Sequence, residues 1–164
     1  MSTLAPDTRI RKASLADAVA IASVLTAAFQ EFEPLYTPEG FRATTPTAEE
    51  IQARFAEGPI WVAEQDGRIV GTVSVVPKGE GLYIRSMAVH PEARGKGVAA
   101  LLLTTVEQAA KDLACSRIFL STTPFLDAAI HLYERAGFRR TDAEPLDLFG
   151  TPLMTMVKDR ARNS

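Results

Sequence analysis

The 164-residue sequence predicts an α/β (α+β) fold, a mixed sheet carrying helices on both faces. Two observations predict it. Residues 60–89 hold three β-rich runs separated by short turns, the pattern of consecutive antiparallel strands. Residues 82–138 then alternate strand, helix, strand and helix.

In chain order, a strand at 8–13 leads into a helix at about 15–31. Ser14 opens that helix with Asp17 three residues on, a capping-box arrangement. Two prolines and a glycine, Pro34, Pro38 and Gly40, break regularity across residues 33–41. A short helix follows Thr47, again with an acid three residues later, Glu50. Runs 60–64 and 68–76 flank Gln65-Asp66-Gly67, a hairpin signal. Residues 77–81 make the next turn, and the strand at 82–89 ends at His90-Pro91. Apolar residues then recur at Leu101, Leu102, Val106, Ala109, Ala110 and Leu113, the spacing of a helix with one buried face. A buried-strand pattern occupies 117–122. The helix over 129–136 stops at Gly137, its C′ residue, before Phe138. A weak strand after Gly137 and a last one near 152–157 complete the chain.

Composition narrows the function. The length suits a single domain over 1–164, and 46% apolar with 23% charged residues is ordinary for a globular protein. No uninterrupted apolar run approaches the ~20 residues of a membrane span, and residues 1–7 lack an apolar signal core. A cytoplasmic protein with no membrane partner is the expectation. Net charge of −2 and a pI near 5.7 argue against a nucleic-acid surface. Two histidines far apart in sequence argue against a metal site. His90 reads as a turn residue, and His131 as exposed or beside a groove. Lone Cys115 cannot form an intrachain disulfide and reads as a small apolar filler near a helix end.

The most informative segment is Arg94-Gly95-Lys96-Gly97-Val98-Ala99, set where a strand turns into a helix. Unpaired amides and the helix dipole make such a turn a phosphate site, and Arg94 and Lys96 add positive charge. The dinucleotide fingerprint fails because position 100 is Ala. The P-loop fails because Gly97 follows Gly95-Lys96.

The segment instead fits Arg/Gln-x-x-Gly-x-Gly/Ala through Arg94, Gly97 and Ala99. It resembles the pyrophosphate loop of the GCN5-related N-acetyltransferase (GNAT) superfamily. Downstream, Ala129-Ile130-His131-Leu132-Tyr133-Glu134-Arg135-Ala136-Gly137-Phe138 resembles the second signature of that family. The likeness covers about residues 9–158. It implies a mostly antiparallel sheet in which the strands near 82–89 and 117–122 run parallel and then splay into a V. It also implies acetyl-CoA as cofactor, bound by Met87, Ala88, Val89, Arg94, Gly95, Lys96, Gly97, Val98 and Ala99. A strand bulge at Met87, Ala88 and Val89 would offer backbone amides to the acetyl carbonyl and the pantetheine. Tyr133 would protonate the departing thiolate.

The resemblance thus implies an N-acetyltransferase (an acyltransferase) acting on a primary amine of a small molecule or peptide in a ternary complex. A homodimer is common in the family, with residues 152–157 as the pairing element. Two departures stand out. Leu126 replaces a frequent asparagine, and Tyr83 occupies the position of a frequent glutamate base, leaving Glu31, Glu33 and Asp147 as other base candidates. Residues 32–46, 82–85 and 145–152 are expected to build the acceptor pocket. Phe32, Tyr36, Phe41, Tyr83, Phe125 and Phe149 would supply its aromatics, and Glu33, Tyr36, Tyr83 and Arg85 would contact substrate. Arg85 would pair with an acceptor carboxylate or with Glu33. Two alternatives are a degenerate acyl-CoA-binding module and an enzyme acetylating aminoacyl-tRNA, which would need a basic face.

Overall fold

The computed structural model describes residues 7–160, so the expectations for residues 1–6 lie outside the described residues. Eight strands form the sheet: β1 Thr8–Lys12, β2 Ile60–Gln65, β3 Arg68–Lys78, β4 Gly81–Val89, β5 Arg117–Thr122, β6 Arg139–Arg140, β7 Leu146–Leu148 and β8 Thr151–Asp159. Their order is β1-β2-β3-β4-β5-β8-β6, with β7 also paired to β8. Every pairing is antiparallel except β4–β5. That parallel pair holds for only three positions, Gly81↔Arg117 to Tyr83↔Phe119, after which the strands part. The V-shaped splay is therefore present.

Five α-helices cover the two faces: α1 Ala18–Phe29, α2 Pro38–Thr44, α3 Ala48–Arg54, α4 Val98–Asp112 and α5 Asp127–Arg135. On one face, Val98, Leu102, Val106 and Ala110 of α4 and Ile130 and Tyr133 of α5 pack on Val73, Leu82, Ile84 and Ile118 of the sheet. On the other, Ile21, Val24 and Leu25 of α1 and Ile51 of α3 pack on Ile60, Val62 and Ala88. Each such fully buried aliphatic side chain contributes roughly 1.5–3 kcal/mol. Cys115 lies buried in the first cluster, the filler position expected.

Local chemistry explains most boundaries. The Ser14 N–H donates to the Asp17 carboxylate at 2.8 Å, opening the first helical turn. Thr47 and Glu50 exchange capping bonds of 3.0 and 3.2 Å at α3. Asp66 and Gly67 take φ of 52° and 76°, as a tight hairpin turn requires.

Four expectations need correction. The irregular stretch is largely helical, because Pro34 continues a 3-10 turn over Gln30–Leu35 and Pro38 starts α2 behind the Thr37 cap. Pro77 lies inside β3 opposite Leu82, so the turn is confined to residues 79–80. Strand β8 lies between β5 and β6, so it is no free edge for pairing with a second copy. Finally, the continuous helical stretch Leu15–Leu35 is 21 residues long with mean hydropathy 1.4, enough by length and composition to cross a membrane. Asp17, Glu31 and Glu33 interrupt it in sequence, and Ala18, Ile21, Val24, Leu25 and Ala28 of α1 are buried.

Candidate active site

Two cavities open where β4 and β5 part. The larger, about 700 Å³, runs from the N-terminus of α4 along α5. Its floor is Met87, Ala88 and Val89, and one end is Arg94, Gly95, Gly97, Val98, Ala99 and Ala100. The remaining wall is mostly apolar, from Phe29 and Phe32, Leu103, and Leu126, Ala129, Leu132 and Tyr133.

The α4 end presents a row of open backbone N–H groups. Gly97 is the N-cap in the left-handed region, with φ 81°, and Gly95 has φ 77°. Nothing lies within 4 Å of where a Cβ would stand at either, so backbone conformation rather than packing selects glycine. The first helical carbonyl bond is Leu101 N–H to Gly97, which leaves the Val98, Ala99 and Ala100 N–H groups with no backbone acceptor among the described residues. Arg94 reaches across to pair with Glu31 and donates to the Ala28 carbonyl at 3.0 Å. Lys96 is exposed and does not line the cavity.

The floor owes its chemistry to strand register. His90 N–H donates to the Val70 carbonyl at 2.7 Å. Antiparallel pairs alternate between exchanging and not exchanging hydrogen bonds. With Thr72↔Ala88 and Val73↔Met87 in register, Ala88 bonds to β3, while Met87 and Val89 turn their N–H and C=O groups into the gap. The bulge lies further upstream than expected. Ser74 pairs Ser86 and Val75 pairs Ile84, so Arg85 is the extra residue.

Tyr133 is set by the end of its own helix. Phe138 N–H donates to the Tyr133 carbonyl at 2.9 Å and Gly137 N–H to Glu134 at 3.0 Å, with Gly137 at φ 99°. This is a Schellman closure, and the Tyr133 and Phe138 rings meet edge-on at 5.7 Å, completing it. Tyr133 is 7% exposed, its hydroxyl makes no hydrogen bond among the described residues, and burial pushes its pKa well above the usual phenol value.

The smaller cavity, about 160 Å³, adjoins the larger, and Phe29, Met87, Leu126, Ala129 and Tyr133 line both. Tyr36, Tyr83 and Arg85 line it as expected, together with Thr44, Arg54, Ser86, Thr122 and Thr123. Glu33 does not: it is exposed on the 3-10 turn and lines neither cavity, and Arg85 pairs instead with Glu57 at 3.2 Å. The other base candidates are also occupied, Glu31 by Arg94 and Asp147 by the Gly150 N–H at 2.9 Å. Among the described residues, no Asp, Glu or His lines the smaller cavity.

Of the expected aromatics, Phe32 lines the larger cavity, Phe41 and Phe125 pack against Tyr36, and Phe149 is 65% exposed at a β7–β8 turn. Leu148 and Leu153 from that hairpin do reach the smaller cavity. Leu126 is the N-cap of α5 without a side-chain bond, and its side chain lies between the cavities. His131 is exposed.

Sequence reasoning missed Arg54, which ends a short helix and reads there as an ordinary cation at a helix C-terminus. It also missed Ala129 and Leu132 of α5 as wall residues, because small or apolar side chains carry no chemical signal of their own.

Comparison with known proteins places the chain among acyltransferases. The Acetyltransferase (GNAT) family matches residues 22–138, and the chain belongs to that family. It is 30% identical over 149 residues, 87% of this chain and 89% of the other, to the uncharacterized N-acetyltransferase YjgM of Escherichia coli K12. In fold it is similar to the PaiA N-acetyltransferase of Thermoplasma acidophilum in complex with coenzyme A. That comparison gives a TM-score of 0.80 at 17% identity, covering 94% of this chain and 99% of that one. A GNAT acetyltransferase of Elizabethkingia anophelis with acetyl-CoA bound gives 0.69 at 20% identity, covering 93% and 98%.

Proposed function

We propose that the protein transfers the acetyl group of acetyl-CoA to the primary amine of a small acceptor, in a ternary complex. The observation that carries this is the meeting of two cavities at Tyr133. One ends in a helix N-terminus fit for a pyrophosphate, and the other is small and carries two arginines and several hydroxyls.

The residues present fit coenzyme A. The Val98, Ala99 and Ala100 amides, with Gly95 and Gly97 keeping side chains out of the way, would hold the pyrophosphate, and Arg94 would add charge. The open backbone groups of Met87 and Val89 would bind the pantetheine arm and the thioester carbonyl. The bound cofactor supplies an activated acetyl group. Met87 or Val89 N–H would stabilise the negative charge that grows on the carbonyl oxygen as the amine attacks. As the C–N bond forms and the C–S bond breaks, Tyr133 would give its proton to the sulfur, the acylated nitrogen would release its extra proton to solvent, and the phenolate would regain one from solvent. Its raised pKa keeps it protonated at neutral pH. With no carboxylate or imidazole lining the acceptor cavity, the amine would lose its proton to water.

That same lack of a base is what a module that binds acyl-CoA without turnover would display. The test is thiol release from acetyl-CoA with a panel of primary amines, checked by mass spectrometry of the product. Thiol release matched one-for-one by N-acetylated amine supports the enzyme. Saturable acetyl-CoA binding with no product from any amine supports the binding module.

A further inference from the structure

The acceptor cavity holds a cation that the fold itself does not satisfy. Arg54, the last residue of α3, is 9% exposed, lines this cavity, and has no hydrogen bond or ion pair among the described residues. The carboxylates near it are engaged elsewhere. Glu50 accepts the Thr47 N–H and lies 3.8 Å from Arg42, and Glu57 pairs with Arg85. Arg85 is the bulged residue of β4, and it faces the same cavity. Burial and the Arg85 charge both press the Arg54 pKa down, with burial the larger cause. A second orphan shares the space. Thr123 Oγ1 is the one buried side-chain polar atom without a hydrogen-bond partner among the described residues, although it is near enough to Tyr36 to draw that phenol's pKa back from its burial-driven rise.

The Arg54 guanidinium opens on the cavity with no partner from the fold, and the group that receives it best is a planar carboxylate held by two N–H bonds. Arg54 and Arg85 are the charged side chains in the cavity lining, while the carboxylates that act on Arg54, Glu57 and Glu50, lie outside it. The cavity's volume of about 160 Å³ suits the carboxylate end of a small acceptor. The wall shared with the larger cavity is apolar apart from Tyr133, so the charged end of an acceptor is directed to the arginines and its amine toward Met87 and Tyr133.

We infer that the acceptor is a small amine carrying a carboxylate, an amino acid or close analogue, whose carboxylate is received by Arg54 and Arg85 with the Thr123 hydroxyl beside them. The inference rests on the acetyl-transfer reading above for what happens to the amine, but not for the binding of the carboxylate.

The experiment uses matched pairs, leucine against isopentylamine and phenylalanine against phenethylamine. Each is measured by thiol release and by calorimetric binding to the protein saturated with coenzyme A. The carboxylated member of each pair should have KM and Kd at least tenfold lower. Arg54→Met should collapse that difference to within threefold by raising KM and Kd for the carboxylated member, and should leave the acetyl-CoA KM unchanged. Thr123→Val, which preserves shape, should narrow it partially and stands in should Arg54→Met fail to fold. Equal binding of both members, preference for the plain amine, or an Arg54→Met loss that is the same for both would overturn the inference. Calorimetric preference for the carboxylated member without thiol release would keep the carboxylate site and refute acetyl transfer. Turnover without preference would do the reverse.

Discussion

Replacing Tyr133 with Phe separates chemistry from architecture, because the hydroxyl holds nothing in place. The ring packs against Phe138 in the helix closure, whereas the oxygen has no hydrogen-bond partner among the described residues. Deleting an unpaired buried hydroxyl is close to neutral, so folding stability should change by less than about 1 kcal/mol. For a chain of this size that is at most ~2–4 °C in Tm. Activity should respond quite differently. A positioned general acid contributes about 10²–10⁴-fold, or roughly 3–5 kcal/mol of barrier. Of the five side chains that line both cavities, Tyr133 alone carries an exchangeable proton, so no neighbour stands in and the loss should reach at least ~10²-fold in kcat. The acetyl-CoA KM should stay within about threefold, since the Phe ring keeps the cavity wall intact. The assay is initial-rate thiol release across acetyl-CoA and acceptor concentrations, beside thermal unfolding. A kcat within threefold of wild type, with the fold intact, would remove Tyr133 from the mechanism. The high pKa adds a linked expectation. The native state should lose stability as pH rises above about 10, where the unfolded phenol ionises first, and Tyr133→Phe should lessen that loss.

Two further outcomes follow from charges elsewhere. With no side-chain base in the acceptor cavity, the alkaline rise of kcat/KM should track the pKa of whichever amine is supplied; a fixed apparent pKa across amines of different basicity would reveal a protein base. At the other end of the molecule, Arg11 grips Asp17 with bonds of 2.8 and 3.0 Å and, opposed by burial and helped by the Ser14 N–H, holds its pKa at about 2. A depressed carboxylate stabilises the fold above its unfolded pKa near 4, and that share, on the order of 1–2 kcal/mol, fades as pH falls from about 4 to 2. Asp17→Asn should therefore lower Tm at pH 7 by ~2–8 °C and flatten the acid limb of Tm against pH; an unchanged acid limb would contradict it.

Much of this was legible because the decisive signals are local. The Asp66-Gly67 turn, the Thr47–Glu50 cap and the Gly137-Phe138 closure each depend on neighbours a few residues apart. The open-amide end of α4 was legible for the same reason, since Gly97 and the residues behind it are consecutive. What failed depended on distance. Pro38 is a breaker or a first helical residue according to whether Thr37 caps it. Here the Thr37 hydroxyl accepts the Gly40 N–H at 3.0 Å, while its N–H donates to Thr151 from the far end of the chain. Arg85 meets Glu57 and not Glu33 because α3 packs beside the bulge. Arg54 acquires meaning only once the sheet buries it, which no spacing along the chain announces.

The central claim is that the α4 N-terminus binds coenzyme A, and thermal unfolding with and without acetyl-CoA tests it most directly. At about 100 times Kd, acetyl-CoA should add roughly 2.7 kcal/mol, or ~5–10 °C in Tm for a chain of this size. Gly97→Glu should start from a lower Tm, because φ of 81° disfavours any side chain. Its carboxylate beside the open amides should also abolish the ligand-induced rise. A clear rise in the wild type, lost in Gly97→Glu, is the predicted result. No rise in the wild type, or an equal rise in both, would contradict the account.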